Sequence, residues 1–126
     1  MARRIPYQLI IKQRKDYLYV EYGGTNLTLQ AILDMINVSA QSARTLDVKR
    51  VLLVRNMPLV ETDADRSMLG AVIRNIVGED VRFAMVDKFG NDPERSERGL
   101  DVLRKAGWNV TQFQTVGEAA AWLASD

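Results

Sequence analysis

Residues 50–70 bring three carboxylates and two hydroxyls together at the end of an apolar run. Glu61, Asp63 and Asp65 are hard oxygen donors of the kind that magnesium and calcium take. The stretch lacks the central glycine and the distal glutamate of a calcium loop. Acidic residues that open a helix are also favoured by the helix dipole without any metal, so no metal site is expected. Thr62 and Ser67 supply hydroxyls, but a serine nucleophile needs a base beside it, and the sequence places none there. The 126 residues include no histidine and no cysteine. That removes Ser-His-Asp relays, imidazole bases, thiol nucleophiles, disulfides and the usual zinc sites. Carboxylates, lysines, serines and tyrosines remain, and no enzyme and no cofactor are expected.

Other functions are bounded by charge and pattern. Gly23-Gly24 is only a pair with no Lys-Ser/Thr after it, so no phosphate-binding loop is expected. The 17 Lys+Arg against 16 Asp+Glu leave no overall basic charge to meet nucleic-acid phosphates. Arg3, Arg4, Lys12, Arg14 and Lys15 read as a solvated strand edge and hairpin tip. The longest apolar runs are about four residues, far short of the roughly 20 that span a bilayer. Pro6, Gln8 and Lys12 interrupt any signal-peptide core. A single cytoplasmic domain over residues 1–126 is expected, with no membrane and no nucleic-acid partner.

The candidate residues must be positioned by the elements around them. Tyr7–Lys12 and Tyr17–Tyr22 alternate with period two around a short polar turn and form a hairpin. Thr28 caps a helix from Leu29 to Arg44, with Leu29, Ile32, Leu33, Ile36, Ala40 and Ala43 on one stripe. Val51–Val54 is a buried strand. Thr62-Asp-Ala-Asp65 fits a capping box with Asp in place of the preferred Glu or Gln, and that helix ends at Gly78. Val81–Val86 is the next strand. Asp92-Pro93 opens a third helix to Ala106, which Gly99 weakens by about 1 kcal/mol relative to alanine. Val110–Phe113 and a helix capped by Thr115 finish the chain. The order ββαβαβαβα predicts an α/β fold: a mixed, mostly parallel five-stranded sheet with an N-terminal hairpin and four helices. A receiver domain shares much of this order, but it needs an aspartate ending its third strand. Here Val54 is followed by Arg55-Asn56-Met57, which excludes it.

The order and several stretches resemble the STAS domain, the fold of anti-sigma-factor antagonists and of the cytoplasmic tails of sulfate transporters. Tyr22-Gly-Gly-Thr-Asn-Leu-Thr28 is similar to the hairpin end and threonine-capped helix of small stand-alone bacterial members. Asn109-Val-Thr-Gln-Phe-Gln-Thr-Val-Gly-Glu-Ala-Ala-Ala-Trp-Leu123 is similar to their closing strand and alanine-rich helix. The antagonists carry Asp-Ser-Ser-Gly-Leu-Gly at the second helix and are switched by phosphorylation of its first serine. Asp65-Arg-Ser-Met-Leu-Gly70 matches at Asp65, Ser67, Leu69 and Gly70. Arg66 stands where the phosphorylated serine belongs, which leaves Ser67 and Thr62 as substitute phosphoacceptors. The resemblance implies a non-catalytic interaction module. A protein partner is expected at Met57, Leu59, Glu61, Asp63, Asp65 and Arg66, an apolar-tipped loop with a charged rim, and Arg55 would help to neutralise an added phosphate. The alternative is a carrier or sensor of a small apolar or anionic ligand, and a carboxylate- or serine-based enzyme ranks third. Self-association as a homodimer fits the hairpin edge or exposed helix faces.

Overall fold

The computed structural model describes residues 8–24, 28–59, 71, 80–105 and 107–125. Its first element is the hairpin that alternating apolar residues dictate. Strands β1 (Gln8–Gln13) and β2 (Leu18–Gly23) pair antiparallel, with Ile11 opposite Val20. The Arg14 amide donates to the Tyr17 carbonyl at 2.9 Å and closes the polar turn. Alternation sends Leu18 and Val20 into one core, while Tyr17 and Tyr19 pack on the opposite face of the sheet. Lys12, Arg14 and Lys15 are exposed around the hairpin tip.

The remaining strands, β3 (Arg50–Asn56), β4 (Arg82–Asp87) and β5 (Val110–Phe113), run parallel to β2, and the sheet order is β1-β2-β3-β4-β5. Parallel neighbours require crossovers. Helix α1 (Leu29–Thr45) lies between β2 and β3, α2 (Pro93–Lys105) between β4 and β5, and α3 (Val116–Ala124) follows β5. The helix expected between Thr62 and Gly78 lies outside the described residues. Three helices and a mixed five-stranded sheet therefore stand among the described residues.

Local chemistry sets the helix ends. The Thr28 hydroxyl oxygen accepts from the Ala31 amide at 3.1 Å and starts α1. At its other end the Val48 amide donates to the Ala43 carbonyl and the Asp47 amide to the Arg44 carbonyl. That is a Schellman closure with Asp47 at φ 53° where glycine is usual. Helix α2 ends the same way, with Gly107 at φ 107° in the matching position. Thr115 caps α3 by accepting from the Glu118 amide. The Arg82 guanidinium lies 4.2 Å over the Trp122 ring and donates to the carbonyls of Trp122 and Ser125 at the carboxyl end of α3.

The helices divide between the two faces of the sheet. Ile32, Met35 and Ala43 of α1 and Leu100 of α2 share a core with Val51, Leu53, Phe83 and Met85. Ala119 and Leu123 of α3 close on Leu52, Val54, Ala84 and Val86. Burying one such leucine or methionine contributes about 1.5–3 kcal/mol. Strand β3 is longer than the expected Val51–Val54, because Arg55 continues the alternation of Val51 and Leu53 and is itself buried.

Candidate functional site

The carboxyl ends of β3 and β4 carry a polar network that the alternation of both strands creates. Arg55 and Asp87 are paired across the two strands. With Arg55 only 7% exposed, its charge must be matched locally. Its Nε and Nη2 donate to Asp87 Oδ2 at 3.1 and 2.9 Å, and Nη2 also donates to Ser96 Oγ at 2.7 Å. Ser96 lies on the inner face of α2 and is 1% exposed. Its hydroxyl donates in turn to Gln112 Oε1 of β5. Four elements are tied at one point.

Asp87 organises the loop after β4. Its Oδ1 accepts from the Gly90 amide at 2.8 Å and the Asn91 amide at 3.2 Å, and its Oδ2 accepts from Asn91 Nδ2 at 2.6 Å. Burial raises this carboxyl, but the bonds from Asn91, the Gly90 amide and Arg55 outweigh it and hold the group below its ordinary value. Asn91 then reaches across to the loop after β3. Its Nδ2 donates to the Met57 carbonyl at 2.9 Å, and its Oδ1 accepts from the Leu59 amide at 3.3 Å. The side-chain amide thus stands in for a strand backbone and pins Met57–Leu59. Beside it, Lys88 pairs with Glu21 at 3.3 Å. The buried Gly23 lies so close to β3 that a Cβ there would stand 2.2 Å from the Asn56 carbonyl oxygen.

This arrangement holds position and activates nothing. The Ser96 proton goes to an amide oxygen, which is not a base, and Arg55 occupies the hydroxyl from the other side. The expectation that Arg55 helps to neutralise a phosphate is corrected, because its guanidinium is buried against Asp87 and Ser96. The apolar tip also changes. Met57 was expected at the partner surface, but it is 4% exposed and belongs to the core. Pro58 is exposed and Leu59 half-buried. Glu61, Thr62, Asp63, Asp65, Arg66 and Ser67 lie outside the described residues. Sequence reasoning missed Asp87, Asn91 and Ser96. The only signal was a charged residue in register with a buried strand, Arg55, which calls for an acid on the neighbouring strand.

On the same face, described residues of α1, α2 and β2–β4 line a concave, partly open space of about 410 Å³. Tyr22, Arg55 and Leu59 line it, as do Lys49, Asp80 and Trp108. Burial pushes the Tyr22 hydroxyl pKa up, and among the described residues that hydroxyl donates to the Met85 sulfur at 3.7 Å, a weak acceptor.

No protein-family model matches the sequence, and no curated protein matches it. Among the solved structures that match is the crystal structure of an anti-sigma factor antagonist from Mycobacterium paratuberculosis. It superposes with a TM-score of 0.64 over 94% of this chain and 95% of that chain, at 12% sequence identity. At that identity the likeness speaks for the fold, and the residues of the two proteins are not interchangeable. The hairpin, the parallel strands and the division of helices between two faces therefore belong to a STAS-like domain, the fold of the anti-sigma-factor antagonists.

Proposed function

We propose that this chain is a non-catalytic regulatory module of the cytoplasm that binds a protein partner. The binding surface is the loop after β3 together with the residues that follow it. Leu59, Glu61, Asp63, Asp65 and Arg66 are the contacts, and the buried Met57 supports the loop from beneath. Thr62 and Ser67 are the hydroxyls through which phosphorylation would add further negative charge. The fold supports a role in protein interaction. The observation that carries the reading is the double hydrogen bond of Asn91 to the backbone of Met57 and Leu59. A loop held in place before the partner arrives loses less conformational freedom on binding, and this one presents Pro58 with an acidic sequence behind it.

The test is affinity capture from the native cells with the tagged full chain, comparing wild type with Leu59→Asp and Asp65→Arg. Both substitutions should release the same protein partner while leaving the denaturation midpoint unchanged. A partner retained equally by both variants overturns the assignment.

A further inference from the structure

We propose that the amino ends of β2–β4, on the face of the sheet that carries α3, bind an extended acidic segment of a protein partner. This site lies at the opposite end of the strands from the loop after β3 and does not rest on the reading given for that loop. The register sets Arg50 and Arg82 side by side on neighbouring strands. Both belong to this face, since Arg50 alternates in step with Leu52 and Val54, and Arg82 stacks on Trp122 of α3. Like charges at directly neighbouring strand positions repel. Arg82 is compensated, because its guanidinium donates to the carbonyls of Trp122 and Ser125 at the negative end of α3. Arg50 is half-buried, and its side chain has no hydrogen bond, ion pair or ring contact among the described residues.

The hairpin carries the positive charge further across the sheet. Lys12 of β1 is in register with Tyr19 and shares its face, and the Arg14 guanidinium lies 5.9 Å over the Tyr19 ring. The acids of the hairpin do not balance these cations, because Glu21 is already bridged to Lys88 and only Asp16, in the exposed turn, is left. Neighbouring strands lie about 4.8 Å apart, so the cations from β1 to β4 span about 14 Å. That is too far for one small anion and suits carboxylates spaced along an extended chain. Arginine forks match carboxylates with paired hydrogen bonds. The tyrosines here are not a stacking platform for nucleic-acid bases. The Tyr19 ring already carries Arg14 and its hydroxyl donates to Glu21 at 2.9 Å, while Tyr17 packs against the core of this face.

Trp122 touches Arg82, whereas Trp108 belongs to the core on the other face of the sheet and serves as an internal control. The experiment is a titration of the ¹⁵N-labelled full chain with an octaglutamate peptide, followed through the two indole N–H cross-peaks and the Arg50 amide. The Trp122 and Arg50 signals should shift and saturate while the Trp108 signal stays in place. Arg50→Met keeps a side chain of similar length and loses the charge, so it should weaken octaglutamate binding about tenfold. Its urea midpoint should equal or exceed that of wild type, because the substitution removes a repulsion with Arg82 and breaks no ion pair. The proposal is overturned if the Trp122 and Arg50 signals do not move, if Trp108 shifts with them, or if Arg50→Met binds with an unchanged dissociation constant. A clearly lowered midpoint overturns it too, since Arg50 would then serve the fold. Tighter binding of octathymidylate than of octaglutamate in the same buffer also overturns it, that being the result expected of a nucleic-acid surface.

Discussion

Removing one partner of the Arg55–Asp87 pair should cost different amounts depending on which partner goes. In Asp87→Ala the guanidinium stays behind, buried, with five N–H donors and Ser96 Oγ as its remaining acceptor in the network. Breaking a buried pair in this way costs about 3–5 kcal/mol. The same substitution also frees the Gly90 and Asn91 amides and the Asn91 side chain. In Arg55→Met the carboxylate keeps those three donors, and a side chain of similar length fills the space. The loss is then that of hydrogen bonds to a charged group, about 1.5–3 kcal/mol. Urea denaturation at neutral pH, read at constant slope, separates the two. Asp87→Ala should shift the midpoint clearly further than Arg55→Met. Equal losses, or losses below about 1 kcal/mol for both, would refute the claim that this network holds the carboxyl ends of β3 and β4 together.

Two further outcomes follow from the same geometry. The folded chain binds its proton on Asp87 less readily than the unfolded chain, because the net shift of this carboxyl is downward. Its contribution is therefore complete above about pH 4 and fades as pH falls through the depressed value. The stability gap between wild type and Asp87→Ala should be flat from about pH 5 to 8 and narrow toward pH 3; a gap that widens on acidification contradicts the assignment. At the end of α1, Asp47 holds φ 53°, a conformation that costs a side-chain-bearing residue about 1–2 kcal/mol. Asp47→Gly should raise the melting temperature, and a lower one would mean that the aspartate carboxylate contributes more than its backbone costs.

Much of the fold was legible in the residues. Period-two alternation gave the hairpin, Thr28 and Thr115 marked two helix starts, and Asp92-Pro93 marked the start of α2. The polar network was not legible, for physical reasons. A charged residue after Val51–Val54 looks like the end of a strand, and only a partner 32 residues away turns Arg55 into a buried strand position. Phe89-Gly-Asn-Asp92 has the residues of a turn, and Gly90 there holds φ 99°. Nothing local reveals that Asn91 reaches back to Met57. The same distance problem misplaced Met57, whose setting beside Pro58 and Leu59 suggested an exposed tip although its side chain completes the core. Gly99 suggested a weak α2, while the inner face of that helix carries Ser96, joined to β3 and β5 by hydrogen bonds.

The central claim is that the loop after β3 is where a protein partner docks. Its most direct test is a photo-crosslinking residue at position 59 of the full chain in its native cells, with the same residue at Gln41 on the exposed face of α1 as control. A single discrete adduct from position 59, absent from position 41, is the expected result. No adduct at 59, or the same adducts from both positions, contradicts it.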